Sequence, residues 1–493
     1  MDDTLFDPKG IAIIGASPGY FSGGSSFLQS LLAAEYPKEK IFPINPKYNE
    51  INGIKTYSNL QLVPYTVDYC IIAVPKKYAF KALEDCVKKQ VKLVCCFTSG
   101  FSEIGNLEDE IEFTKIAKNG GIRLLGPNCI GLAIPKIKLT FNQGIKSGEE
   151  WVGDISIISQ SGGNADALMI YGNGIGLKFN KVVSYGNGVD INADELLEYF
   201  KDDPETNIIL QYLEGFKTLE QGKNFLKILR KTTPNKPVII WQGGMTNVGK
   251  RSILSHTGSI SGDSRIVKAA FKQSGAMKIK SGGRSLLYTA SLTSNLMKSN
   301  KLLKIGPRIG SVLGGGGNNV YFADFLTSMG LKFPNFDQVV LKQLKESVGE
   351  IGTLLKNPID LNVKMFSIQH VITVIKILDS IDNIDIITFE PGIDWGISNL
   401  KLMQRLNPNN GMNFDGLMES NIKSLVRSVK KIKKPILIIS EQTFCDAEII
   451  SKRNELENNF RRANIPVFNN IEEMATAINN LIEYKEFLLK IQK

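Results

Sequence analysis

The stretch Ile11-Ala12-Ile13-Ile14-Gly15-Ala16-Ser17-Pro18-Gly19 decides the fold. An apolar, β-rich run stops at a glycine, and Ser22-Gly23-Gly24-Ser25-Ser26 then leads into an apolar helix. A strand, a glycine turn and a helix in that order make a seat for an anion. Glycines let backbone N–H groups approach a phosphate, and the helix N-terminus adds partial positive charge. The spacing is not G-x-G-x-x-G, so the dinucleotide fingerprint fails. It fails again at the second strand, which ends in Pro43-Ile44-Asn45-Pro46-Lys47 where that fingerprint needs an acid. A lysine there suits a phosphorylated ribose, either NADP or the 3′-phosphate of CoA, and is otherwise a plain surface turn residue.

Working outward, the same rhythm repeats. Residues 11–15, 40–44, 69–74, 93–97 and 123–125 read as buried strands, with helical spacing between them, as in 79–90. A second set occupies 155–159, 181–184, 208–212 and 237–241, and a third 308–313, 384–390, 435–440 and 466–468. The alternation predicts an α/β fold of parallel sheets with helices on both faces. A polar, lysine-rich stretch at 294–306 ending in Gly-Pro reads as a linker, and 135–152 as the other boundary. The expected modules are therefore 1–135, 145–295 and 305–493.

Composition narrows the function class. At 493 residues the chain exceeds one core, and 43% hydrophobic with 22% charged residues is ordinary for a soluble protein. No run is long and apolar enough for a membrane span, and MDDTLFDPKG lacks the order of a signal peptide, so a cytoplasmic location is expected. The net charge of +10 is spread among interleaved acids without a compact basic, aromatic block, which argues against nucleic acid. Cys70, Cys86, Cys95, Cys96, Cys129 and Cys445 form no C-x-x-C pair and read as reduced structural thiols.

Strand ends at Val74-Pro75, Phe97-Thr98-Ser99-Gly100 and Gly126-Pro127-Asn128-Cys129 share the edge where doubly wound sheets bind ligands. In the second module, strand 155–159 runs into Gln160-Ser161-Gly162-Gly163-Asn164, a second anion seat. A serine elbow is excluded because position 159 is Ser, not Gly. Further on, residues 243–262 form a long Gly-, Ser- and Thr-rich connection carrying Lys250, Arg251 and His256. Glu214, at the end of strand 208–212, is a candidate to hold one ring nitrogen of His256 protonated, leaving the other nucleophilic. The other histidine, His370, sits in a helical apolar pattern and reads as structural.

Taken in order, Ile13-Ile14-Gly15-Ala16-Ser17, Pro43-Ile44-Asn45-Pro46-Lys47, Gly126-Pro127-Asn128-Cys129, Ser159-Gln160-Ser161-Gly162-Gly163, Tyr212-Leu213-Glu214-Gly215, Ser255-His256-Thr257-Gly258 and Asn357-Pro358-Ile359-Asp360-Leu361 resemble the NDP-forming acyl-CoA synthetase superfamily. That superfamily includes succinyl-CoA synthetase and the ADP-forming acetyl-CoA synthetases. The resemblance implies a Rossmann-like CoA-binding domain followed by two flavodoxin-like, succinyl-CoA-synthetase-type domains. It implies that His256 is phosphorylated, with Glu214 orienting it, and that the phosphoryl group passes to a carboxylic acid before CoA attacks. Phosphate contacts would be Ser161, Gly162 and Gly163, with Gly315, Gly316 and Gly317 on an opposing helix. CoA contacts would be Gly15, Ala16, Ser17, Lys47, Val74, Thr98, Ser99 and Asn128. Departures occur at Lys250-Arg251-Ser252-Ile253-Leu254, at Ser259-Ile260-Ser261-Gly262 and in the Gly314-Gly315-Gly316-Gly317-Asn318-Asn319 run. No ATP-grasp pattern is found, so the resemblance implies that ATP/ADP with Mg²⁺ is bound mainly by a separate ATP-grasp β subunit, in an α2β2 assembly. The alternatives are a non-catalytic CoA-binding or assembly protein, and an NADP oxidoreductase.

Overall fold

The computed structural model describes residues 3–19, 23–142, 148–249, 251, 253, 264–280, 282–350, 353–406 and 414–492. It is a mixed α/β structure in two compact units, Met1–Leu286 and Leu287–Lys493. No helix among the described residues is long and apolar enough to cross a membrane.

The first unit contains two sheets. Strands β1 (Ile11–Ile14) and β2 (Ile41–Ile44) are followed by the hairpin pair β3 (Glu50–Ile51) and β4 (Ile54–Lys55), then by β5 (Tyr69–Ile72), β6 (Leu93–Cys96) and β7 (Arg123–Leu125). The first sheet has the order β2-β1-β5-β6-β7 and is parallel throughout, with Ile11 opposite both Ile41 and Tyr69. Its strands are buried on both faces, so they read as continuous apolar runs. The cysteines belong to this core. Cys70, Cys86, Cys95, Cys96 and Cys129 are free and buried, and burial pushes the Cys96 thiol well up.

Strand β8 (Gly131–Ala133) leaves the first sheet and pairs antiparallel with the second. The second sheet is completed by β9 (Val152–Ser159), β10 (Phe179–Ser184), β11 (Ile208–Leu213), β12 (Val238–Gln242) and β13 (Met277–Ile279), in the order β13-β12-β11-β9-β10-β8. The chain thus enters the second sheet before residue 135. The helices that follow β9, β10 and β11 start at side-chain caps, Ser161, Asn192 and Thr218, the last in a capping box with Gln221. Arg123 at the start of β7 fixes the two sheets to each other, giving paired hydrogen bonds to Asp190 (3.0 and 3.1 Å) and to Glu195 (2.9 and 2.7 Å).

The second unit has one parallel sheet. Its strands are β14 (Ile309–Leu313), β15 (Ile359–Asp360), β16 (Ile386–Phe389), β17 (Ile436–Ile439) and β18 (Val467–Phe468), in the order β15-β14-β16-β17-β18. Two expectations need correction. The stretch 294–306 is not all linker, because the helix Gly283–Lys298 continues through its first five residues. Leu292 and Leu296 are fully buried one helical turn apart, and Thr293 and Ser294 between them are buried too, so a polar composition here conceals a packed helix. The helix expected at 79–90 starts earlier, at Lys76, with Pro75 at the N-cap.

Candidate active site

The carboxyl ends of β1, β2, β5, β6 and β7 form one edge. Gly15 leaves β1 at φ +98°, and a Cβ there would lie 2.8 Å from Val74 Cγ1, so no side chain fits. Ala16 is fully buried and can offer a ligand only backbone; its carbonyl accepts from Asn45 Nδ2 at 2.7 Å. The same Asn45 accepts from the Lys47 N–H at 3.0 Å, which sets the backbone of the exposed Lys47. Ser17 Oγ lies 2.9 Å from Ser25 Oγ on the following helix. Thr98 donates its hydroxyl to the Val74 carbonyl (2.7 Å), and the Asn128 N–H donates to the Thr98 carbonyl (3.1 Å). Ser99 is exposed and Asn128 half-buried at φ +61°. All eight expected residues therefore lie on one edge, but Thr98 and Ala16 shape it more than they face outward. Phe97, read as part of this edge but not as a contact, is 38% exposed at the end of β6, with its ring edge against Phe27.

The second edge lies in the same unit, at β9 and β11. Their register sets Ser159 opposite Tyr212, so Gln160 and Glu214 emerge side by side. Gln160 Oε1 accepts from the N–H groups of Glu214 (2.8 Å) and Gly215 (3.3 Å) and from the Tyr185 hydroxyl (3.3 Å). Glu214 is 4% exposed. Tyr212 donates to its Oε1 at 3.0 Å, and its Oε2 has no partner among the described residues. Burial and the Glu214 charge push the Tyr212 phenol far up, so it stays protonated and remains a donor. A buried carboxylate oxygen left unpaired costs about 1–3 kcal/mol, unless a further donor arrives.

Beside this pair starts the helix Gly162–Gly174, capped by Ser161, whose Oγ accepts from the Asn164 N–H at 3.3 Å. As its first residues, Gly162 and Gly163 have no intrahelical acceptor for their N–H groups, and the space about Gly163 is open. Gly243 passes over the carboxylate: a Cβ there would lie 3.0 Å from Tyr212 Oη and 3.6 Å from Glu214 Cγ. The glycine-rich connection that follows therefore starts on top of Glu214. His256 and Lys250, expected within it, lie outside the described residues. Arg251 is described and exposed.

In the second unit, Gly315 takes φ +93° and caps the helix Gly316–Ser328. The Gly315 N–H is already used, donating to Asp360 Oδ1 at 3.0 Å, an oxygen that also accepts from Asn362 N at 2.8 Å. Of the three glycines expected at a phosphate, Gly316 and Gly317 remain as first residues of that helix. Gly314 is flanked by Glu390, whose Oε1 accepts from Gly392 N at 2.8 Å. Burial raises the Glu390 carboxyl to about 7, with help from Asp394 and Glu441, against the N–H groups of Gly392 and Gly314. Sequence reading missed Glu390 and the Asp360 cap, since nothing in a strand-end carboxylate marks which turn it will meet. His370 lies in the helix Ile368–Ser380, as its pattern indicates.

That shift has a stability consequence. A carboxyl raised in the folded state contributes fully below its unfolded value and loses that contribution as pH rises through about 7. Between about pH 5 and pH 8 the wild type should lose about 1–3 kcal/mol that Glu390→Gln does not. Urea unfolding of both proteins at the two pH values checks this; parallel pH dependences would contradict it.

A CoA binding domain family matches residues 9–135, and a succinyl-CoA ligase like flavodoxin domain matches residues 152–292. Fold and motifs together thus define a succinyl-CoA-ligase-like protein with an N-terminal CoA-binding domain. The acetate–CoA ligase [ADP-forming] II subunit alpha of Pyrococcus furiosus is 30% identical over 489 residues, 98% of each chain, and subunit alpha of enzyme I from the same organism is 34% identical over 73% of this chain and 76% of its own. The acetate–CoA ligase [ADP-forming] of Methanocaldococcus jannaschii is 38% identical over 72% of this chain, which spans 48% of that longer relative. Among solved structures, the dinucleotide forming acetyl-coenzyme A synthetase 1 of Ca. Korarchaeum cryptofilum, in complex with phosphate and ADP, superposes with TM-score 0.76 at 28% identity, covering 100% of this chain and 99% of its own. The chain belongs to the family of ADP-forming acetate–CoA ligase alpha subunits.

Proposed function

We propose that the chain is the acyl- and CoA-handling subunit of an ADP-forming acyl-CoA synthetase, working with an ATP-grasp β subunit in an α2β2 assembly. The observation that carries this reading is Glu214 Oε2, which has no partner among the described residues and is buried where the His256-bearing connection begins and next to the helix N-terminus at Gly162. An imidazole N–H is the donor that oxygen lacks. Accepting it would hold the ring in one tautomer and direct the other nitrogen to the phosphorus. ATP, bound with Mg²⁺ on the β subunit, gives its γ-phosphoryl group to that nitrogen and leaves as ADP. The N–H groups of Gly162 and Gly163, with the Ser161 cap beside them, stabilise the phosphoryl charge. A substrate carboxylate then takes the phosphoryl group as an acyl phosphate, and the CoA thiolate displaces phosphate to give the thioester.

In the second unit Gly316 and Gly317, as first residues of their helix, would provide a further set of N–H groups for an anion. The neighbouring Asp360 and Glu390 require that an anion there arrive with a counter-cation or a protonated Glu390. The edge at Gly15, Ser17, Lys47, Val74, Ser99 and Asn128 would receive CoA, with Lys47 at the 3′-phosphate. The reducing cytoplasm is the setting that the five buried free thiols favour.

For CoA, Lys47→Met should weaken binding by about tenfold while leaving dephospho-CoA unchanged, since one exposed charge-assisted contact is lost. Calorimetry with both ligands reads this directly. For the reaction, the chain is mixed with an ATP-grasp subunit, ATP, Mg²⁺, CoA and a series of carboxylic acids, and thioester is measured. Thioester that needs both proteins supports the proposal. CoA binding without turnover under any of these conditions would leave a CoA-binding assembly protein instead.

A further inference from the structure

Between the helices Ile368–Ser380, Ile393–Leu406 and Phe414–Val429 of the second unit lies a cavity of about 460 Å³. Its walls are apolar, formed by side chains such as Phe389, Val371, Met365, Met403, Met418 and Ile422. Asn399 and Asn421 are the polar side chains on it, and among the described residues no charged group lines it. It opens beside Pro391 and Gly392, directly after β16, at the carboxyl edge where parallel sheets hold their ligands.

Three features mark it as built for an occupant. First, the space is an open apolar cleft, with Phe366, Leu402, Met403 and Leu406 on it still exposed to solvent, and it is well above the about 150 Å³ that admits a benzene-sized molecule. Second, Gly396 sits inside the helix Ile393–Leu406, where glycine costs about 1 kcal/mol against alanine. What its missing side chain allows is the close approach of a flexible lining group, since a Cβ there would stand 3.1 Å from Met418 Cε. Third, the three methionines are flexible and polarisable, so the wall can adjust to differently shaped hydrocarbon bodies. Volume, apolar walls and two amides match small-molecule pockets in general.

We propose that this cavity binds the uncharged, hydrocarbon or aromatic body of a small organic molecule, with Asn399 and Asn421 meeting at most one or two polar atoms. Such a body could come from two sources, the acyl group of a bulky carboxylic acid substrate or a separate effector. Only the choice between these rests on the synthetase reading; the site itself does not.

The test uses the full chain. Hexanamide and 4-methylphenol are titrated by calorimetry and by saturation-transfer NMR. Saturable binding is expected, weakened at least tenfold in Gly396→Leu and in Ile422→Trp, both of which push side chains into the cavity. Gly396→Leu should fold, because the atom in its way is the free end of Met418. His256→Ala should bind both probes as the wild type does. No saturable binding to the wild type, or undiminished binding to both filled variants, overturns the proposal. To assign the source, hexanoate and acetate are compared as substrates with the ATP-grasp subunit present. A KM for hexanoate raised at least tenfold in Gly396→Leu, with acetate unchanged, makes the body the acyl group. Equal KM values with hexanamide altering the rate make it an effector. Failure of all thioester formation would sink the synthetase reading and leave the binding result standing.

Discussion

His256→Ala is expected to lower acyl-CoA formation by about 10⁴-fold or more, because removing a covalent nucleophile leaves only binding and oriented dipoles to act. The loss should appear in kcat with CoA affinity unchanged, since the proposed CoA edge lies on the first sheet and the Glu214 pair on the second. His370→Ala should keep wild-type turnover, because that residue belongs to a packing helix of the second unit. Steady-state thioester assays with the ATP-grasp subunit in excess compare the three proteins. A His256→Ala enzyme retaining more than a tenth of the activity would contradict the account.

The second large effect is at Glu214. Glu214→Gln keeps the shape but sets an amide where Oε2 lay, or loses the Tyr212 hydrogen bond if the amide flips. In the first arrangement the proposed imidazole partner loses its acceptor, and in the second it keeps only a neutral, weaker one, so the rate should fall by about 10²–10³-fold. Stability should move the other way. The wild type buries a charged oxygen without a partner among the described residues, and the neutral amide relieves part of that cost, about 0.5–2 kcal/mol. A lower rate with a higher Tm is the signature of a group held in wait for a substrate-bearing partner. A lower rate with a lower Tm would instead mark Glu214 as a structural buttress.

The parts of the fold legible in the sequence were those buried on both faces. Runs such as Ile11-Ala12-Ile13-Ile14 and Ile436-Leu437-Ile438-Ile439 have no solvent side to break the pattern. Short edge elements were read unevenly: Arg123–Leu125 and Val467–Phe468 were found, but others were not. Gly131–Ala133, Met277–Ile279 and Ile359–Asp360 are two or three residues long and lie at sheet margins, so neither length nor periodicity separates them from loop. The site divides along the same line. Glycines that must leave a strand at positive φ are local and were read directly, as at Gly15 and Gly315. The groups that meet them are set by strand register across dozens of residues. Gln160 reaches the Glu214 backbone only because β9 and β11 lie side by side, and Asp360 meets Gly315 because β15 borders β14. A sequence shows each carboxylate and conceals its partner.

One measurement tests the central claim most directly. The chain is incubated with an ATP-grasp subunit and Mg²⁺-ATP labelled at the γ-phosphate, and acid-labile, base-stable label on the chain is counted in wild type, His256→Ala and His370→Ala. Acyl phosphates can replace ATP to load the chain from the opposite direction. The account predicts label on wild type and His370→Ala, none on His256→Ala, and discharge of the label by ADP or by a carboxylic acid with CoA. Label that persists in His256→Ala, or a wild-type chain that takes none from either donor beside a competent partner, would contradict it.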